Sequence, residues 1–367
     1  MFDYLIVGAG LFGSVLANKL ATNGAKVLVV ERNAVVGGTV RTEWNHNICV
    51  HKHGAHIFRT NDKSVWEYVN SFVEFEPFIN SPITVCKGSV YNLPFNMNTF
   101  SRLWNICTPT EAKTIIDKQT AEYGLVGEPK NLEEFALSTV GRDIYEMFIR
   151  GYTEKQWGKS CSSLPVSIMR RIPIRFTYDN NYYDAKYQGI PKLGYTELIQ
   201  RLLEPVTVFC GIDGSKFIKN NRSIANVCVY TGRIDEFYDF KFGKLAYRSL
   251  MFEEEFIPNV NNYQGNAVVN YADFEIPYTR IIEHKHFLKT DCSGTIISRE
   301  YPKLAVVDSD YPYYPIEDSL NCKLYEQYAR LSDDIIFAGR LGRYKYFDMC
   351  DTVVSASKLA DELLVKN

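Results

Sequence analysis

The chemistry of this sequence starts with glycines. Gly8-Ala-Gly-Leu-Phe-Gly13 gives G-x-G-x-x-G between the apolar run Tyr4–Val7 and a helical pattern (Leu11, Val15, Leu16) that stops at Asn23-Gly24. A second apolar run, Val27–Val30, ends at Glu31, 18 residues beyond the third glycine. This is the pattern of a strand–helix–strand unit that binds a dinucleotide. Gly8 makes the tight turn, Gly10 lets backbone approach a pyrophosphate, and Gly13 lets helix pack on strand. The helix N-terminus attracts phosphate, and Glu31 can accept hydrogen bonds from a ribose diol.

Gly37-Gly38-Thr39-Val-Arg41 forms a second glycine turn just after that unit. It resembles the second dinucleotide contact of FAD proteins in the glutathione-reductase and amine-oxidase superfamily. No second G-x-G-x-x-G occurs, which argues against a separate NAD(P)H module and so against a conventional reductase. His51, His53 and His56 form H-x-H-x-x-H, a spacing that could hold a metal. No carboxylate or Cys stands beside it at ligand spacing, so no metal is expected.

Longer motifs run through the rest of the chain. They are His51-Lys-His-Gly-Ala-His56-Ile-Phe-Arg59, Asn80-Ser-Pro82 and Tyr91-Asn-Leu-Pro-Phe-Asn-Met-Asn98. Further on come Gly151-Tyr-Thr-Glu-Lys-Gln-Trp157-Gly, Arg171-Ile-Pro-Ile-Arg175, Asp179-Asn-Asn-Tyr182 and Tyr247-Arg248-Ser249. The last are Pro277-Tyr-Thr-Arg280, Tyr313-Tyr314-Pro315, and Gly339-Arg340 followed by Tyr344-Lys-Tyr346-Phe-Asp348-Met349. With these the chain resembles the UDP-galactopyranose mutase family almost end to end. The resemblance implies interconversion of UDP-galactopyranose and UDP-galactofuranose with no net redox change. It implies FAD, active when reduced, with N5 attacking the anomeric carbon as UDP leaves, and NAD(P)H as a candidate reductant.

Residue roles follow from the same resemblance. Arg171 and Arg280 match two arginines that stabilise the leaving diphosphate. Tyr182, Tyr314 and Tyr346 match hydroxyl donors to phosphate, with Asp348 nearby. Tyr152 matches the ring stacked on uracil and Trp157 flanks the sugar. Asn80, Arg248 and Asn270 complete the expected substrate contacts. Expected cofactor contacts come from Gly8, Gly10, Leu11, Phe12 and Gly13, from Glu31 and Arg32, and from Gly38 and Thr39. His56, Arg340 and Met349 join them. Residues 158–184, with Gly158, Ser160, Ser162, Ser163 and two Pro, match a mobile lid carrying Arg171.

Arg59 departs from the pattern, since family members generally carry His there. Arg donates hydrogen bonds and never loses its charge. It could donate to an N-acetyl carbonyl at C2, as in relatives that isomerise UDP-N-acetylgalactosamine. It could equally donate to a flavin or backbone carbonyl with no effect on specificity. Two other functions fit parts of the sequence: a flavin oxidoreductase of the same fold, and a non-catalytic nucleotide-sugar binder.

The elements that must position these residues are legible in outline. Residues 64–72 (Val65, Val69, Phe72) form an amphipathic helix. Thr108-Pro-Thr-Glu111 is a capping box opening a helix to about Tyr123. Asn131 and Glu134 mark another helix start, and Arg142–Arg150 reads as one further helix. Apolar runs at Ile224–Tyr230, Ala267–Tyr271, Thr295–Ser298 and Leu304–Val307 suggest an antiparallel sheet, with His284 and His286 alternating on a strand. Ile335–Gly339 is a late strand, and a last helix starts near Asp351. The expected fold is α/β: a discontinuous FAD-binding Rossmann-like domain (1–80, 185–235, 320–367) whose first and last segments pair. A helical substrate domain (95–184) and an antiparallel sheet domain (81–94, 236–319) are threaded between.

Composition sets the outer bounds. The chain has 367 residues and a net charge of −2, which argues against an electrostatic grip on nucleic acid or anionic lipid. A few placed arginines can hold a diphosphate without a basic surface. No segment approaches the ~18–20 apolar residues of a membrane span, and no signal peptide is expected. Nine scattered Cys without C-x-x-C suit reduced thiols in a cytoplasmic protein. The 25 Tyr and 22 Phe are an excess that could fill cores or line a nucleotide site. The resemblance adds a homodimer serving cell-surface polysaccharide biosynthesis. It also places the start of the last helix by the flavin, where its partial positive charge favours the anionic reduced form, assisted by Arg340. Shortening or re-capping that helix start should make reduction harder. A potentiometric titration checks this, and an unchanged midpoint would count against it.

Overall fold

The fold, a computed structural model, describes residues 1–166, 168, 174–307, 309–331 and 334–365. Phe2–Val7 forms strand β1, Leu11–Thr22 helix α1 and Val27–Glu31 strand β2. β1 lies between β2 and Ala225–Tyr230, all parallel, with Thr207–Cys210 beyond β2 and Ile335–Phe337 at the other edge. Parallel strands covered on both faces read as unbroken apolar runs, and all five residues of β2 are buried. Val15, Leu16 and Leu20 of α1 share one core with Val353, Ala356 and Ala360 of the C-terminal helix Met349–Val365. The Tyr4 hydroxyl of β1 ties to that helix through the Leu363 carbonyl at 3.3 Å.

Two expectations about this sheet need correction. The run Ile224–Tyr230 belongs here and not to the antiparallel sheet, because a short apolar run looks alike in either setting. The first and last strands share the sheet without pairing, since Ala225–Tyr230 separates them.

A second sheet has seven strands, in the order Tyr314–Pro315, Tyr247–Ile257, Thr295–Leu304, Arg280–Glu283, Val268–Tyr271, Ile83–Cys86 and Ser89–Asn92. Neighbours are antiparallel except Val268–Tyr271 with Ile83–Cys86, which are parallel. Those two come from distant parts of the chain, so no hairpin fixes their relative direction. The two runs Thr295–Ser298 and Leu304–Val307 are not separate strands: one strand spans Thr295–Leu304 and stops at the start of the second run. His284 and His286 sit together on a 3-10 turn after Arg280–Glu283, not on a strand.

Several helices carry side-chain caps. Asp62 caps Lys63–Asn70, Thr108 and Glu111 form the capping box of Pro109–Tyr123, and Asn131 caps Leu132–Thr139. The single helix expected over Arg142–Arg150 is instead a turn at Arg142–Ile144, a π segment at Tyr145–Ile149 and a new helix Arg150–Trp157. Propensity cannot separate α from π hydrogen bonding. The last helix begins at Met349, close to the expected start near Asp351, and Asp348 Oδ1 accepts the Asp351 N–H at 2.8 Å. Among the described residues no helix is long and apolar enough to cross a membrane. Arg171 lies outside the described residues.

The strand Arg280–Glu283 ends on a buried staple. Glu283 accepts the Tyr263 and Gln264 amides (2.9 Å each) and the Thr295 hydroxyl (2.8 Å), with His286 Nε2 at 3.0 Å. Burial raises its pKa, but the bonds from His286, the two amides and Thr295 outweigh this and hold the carboxyl at about 2, against an ordinary 4.5. A depressed folded pKa means stabilisation that is full above the unfolded value and lost as pH falls through the folded one. Glu283→Gln should therefore lower stability by about 2–4 kcal/mol at pH 7. In urea melts the gap to the native protein should shrink between pH 4.5 and 2.

Candidate active site

The glycine turns build a cradle. A Cβ at Gly13 would lie 2.0 Å from the Gly8 carbonyl oxygen, and one at Gly8 (φ +106°) 2.1 Å from Thr231 Oγ1. Both glycines are thus required by packing. Gly10 is different: its Cβ would meet nothing nearer than the Gly38 Cα at 3.9 Å. Its missing side chain leaves room above the backbone, as a pyrophosphate needs. The Gly37 N–H donates to the Ala9 carbonyl (2.9 Å), which sets the second glycine turn against the first. Buried Glu31 accepts the Ala9 N–H at 2.8 Å and the Asn33 side-chain amide at 2.6 Å. Ser14 Oγ on α1 and Arg41 Nε after the second turn are buried and lack a hydrogen-bond partner among the described residues. These features fit a dinucleotide.

Other expected cofactor residues fall around this cradle. Leu11 and Phe12 are buried in the first turn of α1, and Thr39 lies on the 3-10 turn Gly38–Val40. Phe12 is the nearest ring to Gly339. Arg340 donates to the Tyr313 carbonyl (2.9 Å) and the Phe347 carbonyl (2.7 Å), and its guanidinium lies 4.8 Å over the Tyr346 ring. Met349 opens the C-terminal helix. Arg32 pairs with Glu236 at the surface, at 2.5 Å.

The three histidines of H-x-H-x-x-H are each engaged singly. His51 Nδ1 accepts the His56 N–H, and His53 Nδ1 lies 2.5 Å from the Tyr313 hydroxyl. His56 Nδ1 sits 2.7 Å from the Gly54 carbonyl oxygen, so the ring proton belongs on Nδ1 and Nε2 is an acceptor. Burial lowers the His56 pKa to about 4; the Gly54 carbonyl opposes this, and Arg340 and Arg280 push it further down.

A cleft is lined by Asn80, Tyr152, Tyr182, Asn270 and Arg280, with Phe95, Phe148 and Ile149 as apolar wall. Part of it is one transverse row of the seven-stranded sheet. Thr84 pairs with Asn270, Asn270 with Arg280 and Arg280 with Glu300, so all four side chains share a face. Arg280 Nε lies 3.1 Å from Glu300 Oε1, and its terminal nitrogen donates to the Tyr152 hydroxyl at 2.9 Å. Burial lowers the Arg280 pKa, but Glu300 and the hydroxyls of Tyr152, Tyr314 and Tyr182 outweigh it, so the guanidinium stays charged. Asn80 Oδ1 and Asn270 Oδ1 are buried and accept from no described residue. Such atoms mark where a polar ligand fits.

The remaining expected residues divide. Tyr314 and Tyr346 stack at 5.9 Å, and both sit within the field of the arginine cluster. Arg59 donates to Asp348 Oδ2 at 3.1 Å and lies 4.3 Å over the Tyr183 ring. Trp157 ends its helix, half-buried against the helical core. Arg248 is buried on the same sheet face as Glu300 but does not line the cleft: its Nε donates to the Gln156 carbonyl at 2.8 Å and its terminal nitrogen to the Lys155 carbonyl at 3.3 Å. It caps the helix Arg150–Trp157. Glu300 was missed by sequence reasoning. An acid inside the apolar strand that begins Thr295-Ile-Ile-Ser298 was the available signal. Phe95, Phe148 and Tyr183 carried none that separates a wall from a core.

A profile of the UDP-galactopyranose mutase family matches residues 147–346, and a NAD(P)-binding Rossmann-like profile matches residues 6–72. The chain is 39% identical to a probable UDP-galactopyranose mutase of Klebsiella pneumoniae, over 99% of this chain and 94% of that one. It is 36% identical to the dTDP-fucopyranose mutase of Escherichia coli, over 100% and 99%. Its fold is similar to that of a reduced UDP-galactopyranose mutase, with a TM-score of 0.76 at 15% identity, covering 100% and 94%. Putrescine oxidase shares the fold at a TM-score of 0.62 and 11% identity. The Rossmann-like unit, the cation-bearing cleft and these matches have one conclusion: the chain belongs to the UDP-galactopyranose mutase family.

Proposed function

We propose that this enzyme interconverts UDP-galactopyranose and UDP-galactofuranose in the presence of reduced FAD. The observation that carries the reading is the Arg280 cation, fixed by Glu300 and Tyr152 in the wall of the cleft. A diphosphate leaving the anomeric carbon gains negative charge, and a preorganised guanidinium lowers that barrier. Hydroxyls of Tyr182, Tyr314 and Tyr346 add neutral donors. Asn80 and Asn270 offer acceptor oxygens for sugar or base, and Tyr152 a ring face. Gly10, Gly38 and Glu31 would hold the dinucleotide, with Arg340 and the start of the C-terminal helix toward its ring system. When bound and reduced, FAD supplies the nucleophile for the anomeric carbon. Neutral His56, with Nε2 as acceptor, adds no charge of its own there. Arg171 belongs to the same reading as a second cation for the diphosphate.

Sugar choice is the finer part of this reading. Arg59 is steered by Asp348 and Tyr183 and keeps further N–H donors. We read it as the residue through which UDP-N-acetylgalactosamine is accepted beside UDP-galactose.

UDP-galactofuranose should convert to UDP-galactopyranose only after dithionite reduction, with no net oxidation, as separated by HPLC. Oxygen or NADPH uptake matched to product would favour an oxidoreductase instead, and a colourless purified protein a mere binder. Arg280→Ala should lower kcat by roughly 100- to 1000-fold. In Arg59→His, the N-acetyl substrate should lose turnover about tenfold more than UDP-galactose does, a difference of about 1.4 kcal/mol. Assaying dTDP-fucopyranose in parallel tests the nucleotide and the 6-deoxy position. An unchanged N-acetyl to galactose ratio would sink the role of Arg59.

A further inference from the structure

Lys155 does not line the cleft, yet its surroundings are unusual for a lysine. Its ammonium lies within hydrogen-bond distance of four main-chain carbonyls: Asp273 at 2.7 Å, Tyr271 at 2.8 Å, Ile276 at 3.0 Å and Tyr278 at 3.2 Å. Tyr271 closes strand Val268–Tyr271, and the other three lie in the turn that joins it to strand Arg280–Glu283. An ammonium has three N–H donors, so the cage saturates it. Burial lowers its pKa to about 8, with Asp273 and Glu275 opposing.

The placement joins the two halves of the cleft. Lys155 stands one helical turn after Tyr152 on the helix Arg150–Trp157, and the caged turn ends two residues before Arg280. Helix and turn also touch backbone to backbone: a Cβ at Gly151 would lie 2.4 Å from the Ala272 carbonyl oxygen. Arg248 holds the C-terminal end of the same helix through the Gln156 and Lys155 carbonyls. We propose that Lys155 is a positioning residue whose caged ammonium sets the register between this helix and turn, and thereby the meeting of Tyr152 with Arg280. The proposal rests on the nucleotide-sugar reading of the cleft.

The test is a double-mutant cycle on the flavin-loaded protein, with UDP as the titrated probe. Lys155→Met should weaken UDP binding about tenfold. In a Tyr152→Phe background the same change should cost less than threefold, because the pair it aligns is already broken. Flavin content should not change. In Lys155→Ala, n-propylammonium, which replaces the missing atoms, should restore at least fivefold of the loss, and tetramethylammonium, which has no N–H, none. UDP affinity within twofold of native, additive losses in the cycle, or no rescue would each overturn the proposal. If the Met variant does not accumulate, Lys155→Gln, which also removes the charge, carries the cycle with the same expectations. If native protein binds no UDP, the nucleotide reading fails, and hydrogen exchange decides on Lys155 alone. Exchange in 150–157 and 271–283 should then rise together in the variant; no rise in either segment overturns it.

Discussion

A guanidinium cannot shed its proton, so a protein that draws one out of water must arrange compensation around it. The Arg280 side chain is 26% exposed and that of Glu300 2%. Their pairing is set by β register and not by neighbouring sequence, since twenty residues separate them on adjacent strands. A slip of one residue would turn Arg280 to the opposite face and strand Glu300 as a lone buried carboxylate. The antiparallel pairing of Arg280–Glu283 with Thr295–Leu304 is thus the constraint on which the cleft depends. The Glu283 staple at the far end of the same short strand, holding Tyr263, Gln264 and Thr295, defends that register.

The cofactor cradle and the cleft are legible to different degrees. Gly8, Gly13 and Glu31 could be read from 24 positions of sequence because their contacts are local: turn, helix and two adjacent strands. Helix caps at Thr108 and Asn131 are readable for the same reason, a side chain serving an amide three residues on. Arg280, Tyr152 and Asn270 could be picked out only through family motifs, as their partners arrive from other elements. Glu300 shows the limit, for nothing within its own strand announces Arg280. Arg248 shows the converse. It carries a family motif, yet its guanidinium is occupied with the carbonyl end of a helix. The π segment Tyr145–Ile149, the parallel contact between Val268–Tyr271 and Ile83–Cys86, and the seat of Ala225–Tyr230 in the first sheet are tertiary outcomes that periodicity leaves open.

The charge pattern of the site follows one rule. Cations are kept charged by acids or hydroxyls, as Arg280 is by Glu300 and Tyr152, while His53 and His56 are driven neutral by burial and neighbouring cations. Somewhat below neutral pH these two imidazoles therefore stay uncharged and add no positive charge beside the arginines.

Asp348 divides its carboxylate between two tasks. Oδ1 receives the Asp351 amide at the start of the C-terminal helix, and Oδ2 receives Arg59. One short side chain thereby couples position 59 to the geometry of the helix start. A chain that changes position 59 would leave Oδ2 of that side chain without its guanidinium while Oδ1 still serves the helix start. Lineages that exchange Arg59 are then under pressure to re-tune position 348 in the same step, so the two sites should evolve as a pair.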